Sequence, residues 1–433
     1  MTPLALDADS RTLKSASSYA RAGFRSVVVE GRSSGRGAAY PGIEVITLED
    51  RQVPPAPGAA ARGRGPVSRI ISAIRYGKFG VVAELPLLAA FLVRFVLKFW
   101  IAPWRAAPDA DLYHIHSFEM FEPVRALARR NGAKVIYDAH DYYQGIDPES
   151  GLPQFDRRWL RPLMRRIEAR AVRLADAVVT ATDGTAALML GQFGKLPLVL
   201  RNCHDSRLDR EPAVGLRSRL ALGPDDRLLV VVGNYKRGMA IGAVLDALAR
   251  LPSYVKLAFV GRGYDALDPF LDGCPVADRV YRNLVTDPTE LVPFIRSANV
   301  GLVVYEPYSE NYRHALPNGF FQIVAAGLPM VYPALPQILG AVGDRQLGRC
   351  LERLSGESLA VVLAEIMAHP SSGSHATPPM DDLAWYREEV ILMRLAESLL
   401  QCDRSSEDIR KEQVVTKKNL KEEAVSTSQK GDD

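Results

Sequence analysis

Four short stretches of this chain carry residue types whose chemistry calls for a ligand. The first is Asp138–Ala139–His140–Asp141, an acid–histidine–acid run directly after the apolar KVIY of residues 134–137. Histidine changes charge near neutral pH, so His140 is suited to positioning a hydroxyl or holding charge that develops during a reaction. The second is Gly233–Asn234–Tyr235–Lys236–Arg237–Gly238, a glycine-bracketed turn with two cations. Backbone N–H groups, the helix that follows and the two charged side chains together suit a phosphate or diphosphate. P-loop spacing does not occur, which argues against triphosphate chemistry of that kind. The third stretch, Gly261–Arg262–Gly263, lacks the third glycine of a dinucleotide fingerprint. The fourth is Pro317–Asn318 followed by Gln322, the one polar residue between Phe320 and Ala326. An amide in those surroundings must be paired, because leaving it unpaired costs roughly 1–3 kcal/mol.

Ligands of open parallel sheets bind beyond the C-terminal ends of the strands, so these stretches matter only if strands precede them. Apolar, β-branched runs at 26–30, 111–116, 134–140, 177–182, 228–233, 256–261 and 300–305 alternate with helix-like stretches. The helices fall at 10–23, 119–131, 157–175, 184–193, 239–251, 288–297 and 357–368. This predicts an α/β protein whose parallel sheets are covered on both faces. The first three stretches then stand at strand ends, and with Pro317–Asn318 and Gln322 they describe one crevice. His114 and His116 close the strand 111–116 on one face and are expected as packed residues. Over 202–227 the alternation breaks into polar sequence containing Pro and Gly. The expected division is an N-terminal domain over 1–205, a second domain over 206–382, a closing helix at 383–402 and a disordered charged tail at 403–433.

With 433 residues, 47% hydrophobic and 24% charged, the chain holds two or three globular domains. A net charge of +4 gives no general attraction to nucleic acid. Cys203, Cys274, Cys350 and Cys402 show no CxxC spacing, which argues against a zinc site or a disulfide framework, and a reducing cytosol fits. The N-terminus lacks a basic region followed by an apolar core, so no secretory signal is expected. Residues 62–105 combine eight Lys and Arg residues with the apolar run LPLLAAFLVRFVLKFW of 85–100. Its longest uncharged stretch falls short of the ~20 residues that span a bilayer. The expectation is a segment lying in the headgroup layer, with Leu, Phe and Trp inserted and cations facing anionic lipid. That makes a cytoplasmic protein peripheral at the inner face of the cell membrane.

The order YDAHD, VVGNYKRG, FVGRG and NYRHALPNGFFQIVAAGLPMV resembles glycosyltransferase family 4 and its relatives with the GT-B fold, from about Asp9 to about residue 400. The resemblance implies two facing Rossmann-like domains with a nucleotide-diphosphate sugar in the cleft, bound mainly by the second. It implies transfer with retained configuration to a glycan or lipid-linked acceptor, without an obligatory metal or other cofactor. By position, Arg237 and Gly238 match the residues that hold the donor diphosphate, assisted by Lys236 beside Gly233 and Gly261. His140 matches a histidine near the transferred sugar, and Asn318 and Gln322 match the loop and helix for phosphate and ribose. Three features depart from the family. Its glutamate pair reads His314 and Gln322, its cation after Pro–Asn reads Gly319, and before Asp7 there is no room for a complete first strand and its glycine loop. The lost glutamates keep open an alternative, a non-catalytic sugar-nucleotide-binding or scaffolding partner of another transferase.

Overall fold

Parallel sheets form where the β-branched runs lie, and short edge strands extend them. The structure, a computed structural model, describes residues 1–31, 40–48, 66–147, 152–368 and 381–401; the tail expected at 403–433 and the start of the 62–105 segment lie outside these. In the N-terminal half β1 (Ser26–Glu30) pairs with β2 (Ile43–Thr47). A second parallel set follows in the order β3 (Leu112–Ile115), β4 (Lys134–Ala139), β5 (Ala177–Thr180) and β6 (Leu198–Val199). Met1 and Thr2 stitch the two sets together. The Thr2 amide donates to Val29 O at 3.0 Å, and the His116 amide donates to Met1 O at 2.9 Å. Met1 and Thr2 thus occupy the row between β1 and β3.

The C-terminal half builds one six-stranded parallel sheet from β7 (Arg227–Val232), β8 (Val255–Val260), β9 (Val280–Tyr281), β10 (Val300–Leu302), β11 (Met330–Pro333) and β12 (Gly348–Leu351). Its order is β12-β11-β10-β7-β8-β9. Connections run outward in opposite directions from β7 and β10, so the crevice at their C-terminal ends is a topological switch point, the usual place for a ligand.

The helices that matter for the site are α1 (Ser10–Arg21), α2 (Pro66–Arg75), α3 (Gly80–Phe95), α4 (Ala102–Ala106), α5 (Phe121–Asn131), α6 (Arg161–Leu174), α7 (Asp183–Phe193), α8 (Ile241–Arg250), α9 (Asn318–Ala325), α10 (Gly356–Ala368) and α11 (Trp385–Leu400). Asp9 starts α1 by accepting from the Thr12 amide, the cap expected of an aspartate. The last helix, α11, returns to the first. Trp385 is fully buried and its indole N–H donates to Ser18 Oγ on α1 at 2.9 Å.

α3 and α4 join through a π-helical stretch (Val96–Ile101) into a continuous helix, Gly80–Ala106, of 27 residues and ~40 Å. Among the described residues this is the one helix long and apolar enough to cross a membrane by length and composition. The sequence expectation that the segment is too short is corrected on that point, because the helix continues through its scattered charges. Its packing nevertheless fixes one face to the N-terminal domain. Glu84 is fully buried between Arg158 Nη1 at 3.0 Å and Trp159 Nε1 at 2.8 Å, and Phe95 sits in the domain core.

Candidate functional site

Between the facing C-terminal strand ends lies a cleft of about 390 Å³. β4 delivers His140 to one wall, and α1 delivers Asp9 and Arg11. On the other wall β7 delivers Gly233, Asn234 and Lys236, β8 delivers Gly261 and Arg262, and α9 delivers Asn318 and Gln322.

Backbone geometry explains the glycines. Gly261 has φ +156°, and a Cβ there would lie 2.1 Å from Gly233 O. The two strand ends are therefore in direct backbone contact, a spacing only glycine allows. Asn234 Oδ1 accepts from the Arg262 amide at 2.9 Å, and Tyr264 donates its hydroxyl to Gly233 O at 2.9 Å. These bonds hold both loops before any ligand arrives. Gly319 is also constrained: a Cβ would stand 2.5 Å from Val232 O, so α9 begins flush against the end of β7.

Lys236 lines the cleft, but Arg237 and Gly238 are not among its lining residues. The chain turns away there. The Glu306 amide donates to Gly238 O at 3.0 Å, Met239 bridges Tyr305, and α8 starts only at Ile241. Arg237 is exposed, and Gly238 abuts the rings of Tyr308 and Tyr312. Arg262, which the sequence offered only within a weak glycine motif, takes a place on the cleft wall instead. Asn318 lines the cleft with its amide oxygen already accepting from Asn202 Nδ2 at 2.5 Å across the gap. Gln322 is half-buried in the cleft, and among the described residues its side chain makes no hydrogen bond.

His140 does not stand alone. Its Nε2 meets His116 Nδ1 at 2.8 Å. Beneath lies Asp138, fully buried, with Arg11 Nε at 2.8 Å, His114 Nε2 at 3.3 Å and His116 Nδ1 at 3.4 Å, all from Oδ2. Burial by itself would raise the Asp138 carboxyl, but Arg11, His140 and the hydrogen bonds from His114 and His116 hold it well below the usual carboxylate range. Burial and the neighbouring His114 push His116 well below the usual imidazole range, against the pull of Asp138. A neutral His116 can then share one proton with His140 and fix its ring. His114, His116 and Asp138 place ligand atoms within 4.8 Å of one another. A metal ion there would face the Arg11 guanidinium that already holds Asp138, so the cluster is chemically better suited to an ion pair. Sequence reading took His114 and His116 as packed residues, which they are, and missed that His116 supports His140. Arg11 carried no signal at all, since its partner is 127 positions away.

A second, larger cavity of about 1070 Å³ adjoins the first, with His314 lining both. Four arginines line it, Arg157, Arg161, Arg165 and Arg166, and among the described residues none of its lining is acidic.

Residues 8–203 match the family described as the glycosyl transferase 4-like domain. No curated protein matches the sequence significantly. Among solved structures, sucrose-phosphate synthase from Thermosynechococcus elongatus is similar at TM-score 0.63 and 17% identity, over 90% of this chain and 92% of that one. HepE from Anabaena, solved in complex with UDP-glucose, is similar at TM-score 0.59 and 13% identity, over 90% and 95%. WaaG, a glycosyltransferase involved in lipopolysaccharide biosynthesis, is similar at TM-score 0.56 and 15% identity, over 89% and 94%.

Proposed function

We propose that this chain, a GT-B glycosyltransferase with a 4-like domain over residues 8–203, moves a sugar from a nucleotide-diphosphate sugar to a glycan or lipid-linked acceptor with retention of configuration. The observation that carries the proposal is the cleft itself. Cations and backbone donors gather on the wall of the second domain, and a braced histidine faces them from the first. Transfer of a glycosyl group needs a stabilised diphosphate leaving group more than a strong protein base. Lys236, Arg262 and the loops at Gly233 and Gly261 are the groups for that charge, with Arg237 and Gly238 behind the turn that presents Lys236. Gln322 is assigned to the ribose hydroxyls and Asn318 to the turn that closes over them. His140, held through Nε2, offers Nδ1 to the transferred sugar. HepE binds UDP-glucose in its crystals, which favours a uridine nucleotide as the first donor to try.

The test is release of nucleoside diphosphate from a panel of nucleotide-sugars, with and without glycan and lipid acceptors. Acceptor-dependent release with an axial-to-axial or equatorial-to-equatorial product, read by NMR, supports the proposal. The replacement of the family's glutamate pair by His314 and Gln322 favours the non-catalytic alternative, which predicts binding without any release.

A further inference from the structure

We propose that Asp141 reads the transferred sugar: its carboxylate, aimed into the cleft by the Asn311 amide of the other half, accepts hydrogen bonds from the hydroxyls of a neutral sugar and turns away an acidic one. The proposal rests on the donor reading above and adds the class of sugar.

The geometry begins with Asn311. It is 4% exposed on the short helix Glu310–Arg313, which Ser309 caps by accepting from the Tyr312 amide. Its Nδ2 donates to Asp141 Oδ1 at 3.1 Å, and its Oδ1 accepts from the Tyr142 amide at 2.7 Å. A carboxylate can only accept and a backbone N–H can only donate, so the two partners fix which way round the amide stands. Asn311 and Asp141 are 170 positions apart in the chain, and both line the cleft. Asn311 therefore sets the Asp141 side chain and the backbone just after it, next to His140, from the opposite wall. Held at Oδ1, the carboxylate leaves Oδ2 to the cleft.

Strand order says which part of a donor would meet it. β8 lies on one side of β7 and β10 on the other. Arg262, Leu284 and Thr286 line the cleft from the β8 side, whereas Tyr305 and Tyr312 line it from the β10 side. Asp141 stands with the second group: burial, and then the Asp141 charge, push the Tyr305 hydroxyl up to about 12. With the diphosphate at the turn of Gly233 and Lys236 after β7, a nucleoside extending towards β8 leaves the sugar towards β10, against His140 and Asp141.

A carboxylate in a cleft that holds a diphosphate repels the ligand unless it forms bonds of its own. Because it is an acceptor only, its partner must be a donor, and at this end of a nucleotide-sugar the donors are sugar hydroxyls. Such bonds are charge-assisted and stronger than neutral ones. The same charge opposes the carboxylate of a uronic acid, so one residue both selects and rejects.

The experiment is calorimetric titration of the full chain with UDP, UDP-glucose and UDP-glucuronate, in which UDP alone reads every contact except those to the sugar. UDP-glucose is expected to bind about tenfold tighter than UDP-glucuronate. Asp141→Asn keeps an acceptor for Asn311 and removes the charge. It should bring the two nucleotide-sugars to within about twofold of each other and leave UDP unchanged. Asn311→Ala should remove the same preference by releasing the carboxylate, and combining it with Asp141→Asn should cost nothing more, because the pair acts as one unit. A merely structural Asn311 would weaken UDP as well. If Asn311→Ala does not fold, Asn311→Asp keeps the acceptor for the Tyr142 amide and sets a like charge against Asp141, with the same loss of preference expected. Equal binding of the two nucleotide-sugars by the unaltered chain, tighter binding of UDP-glucuronate, or a preference that survives Asp141→Asn overturns the inference while UDP binding stands. Absence of UDP binding fails the donor reading instead, and this inference with it.

Discussion

Gln322 shows how far single residues can be understood from their neighbours. The sequence demanded a partner for an amide on an apolar helix, and in the folded chain that amide opens on the cleft with no partner in the protein among the described residues. Gln322→Leu should therefore weaken donor binding by ~1–1.5 kcal/mol, the net worth of a neutral hydrogen bond, and leave the apo melting temperature nearly unchanged. Gln322→Glu should bind as well or better, because a charged acceptor strengthens the bond; identical calorimetric affinities for all three would remove the ribose contact. His140→Ala should strongly reduce turnover while donor affinity stays within a few-fold, since its proposed contact is with the sugar and not the diphosphate. Unchanged turnover would return His140 to structure. The supporting residues were illegible for a definite reason: Asp138 meets Arg11 across 127 positions, and no spacing rule reaches that far. Glu168 is another such residue. Burial pushes its carboxyl up to about 7 from 4.5, despite hydrogen bonds from Gln144 and Tyr137. The native state then holds the proton more tightly than the unfolded one, so the stability it lends is full below pH 4.5 and lost as pH rises to 7. Melting temperatures of Glu168→Gln measured from pH 4.5 to 8 should lack this decline, and parallel curves for the two proteins would show that the carboxyl is ionised throughout.

At the scale of elements, β-branched runs long enough to be central strands were readable, and β1, β3, β4, β5, β7, β8 and β10 lie where the pattern puts them. Among the described residues, five strands were not read: β2, β6, β9, β11 and β12. β6 and β9 have two residues each, too few to show a period, and β12 (GRCL) has no apolar run because it is a half-exposed edge. β11 was hidden by Pro333, tolerated at the end of its strand. The closing helix, expected over 383–402 from the family resemblance, runs over Trp385–Leu400, but the sequence did not show its anchor: Trp385 is buried against α1 with Lys14 Nζ 5.0 Å from its ring centroid. Emptying that position removes a large apolar volume, a hydrogen bond and a cation–π contact together. Trp385→Ala should cost about 3–5 kcal/mol, the range for deleting a buried aromatic, with Trp385→Phe intermediate. Chemical denaturation of the two variants checks it, and a loss below ~1 kcal/mol for Ala would mean that α11 does not depend on this anchor.

For the whole molecule, two sheets in sequence suggest two units that fold independently, and the packing argues otherwise. β4 alternates its faces: Val135, Tyr137 and Ala139 belong to the N-terminal core, while Ile136 points to the other side with Val179, Leu200 and Cys203. Those residues join the same continuous core as Leu228, Phe259 and Trp385 of the second half. Polar bonds cross at the same place. Lys14 on α1 donates to Asn202 O and Cys203 O, and Glu388 of α11 accepts from Arg201 Nε at 2.7 Å and the Arg201 amide at 2.9 Å. Separating the halves would expose apolar surface and leave the Glu388 carboxylate, 2% exposed, without its cation. The boundary near residue 205 that composition suggests is therefore expected to behave as a change of sheet inside one cooperative body. Calorimetric heating should give one transition whose van't Hoff and calorimetric enthalpies agree. Adding donor at 100 times its dissociation constant should raise that single transition by about 2.7 kcal/mol of stability, because a ligand lined by both halves binds only their joint native state. Two separated transitions, with only the later one moved by donor, would show that the shared core does not couple the halves and that the second domain holds the nucleotide-sugar alone.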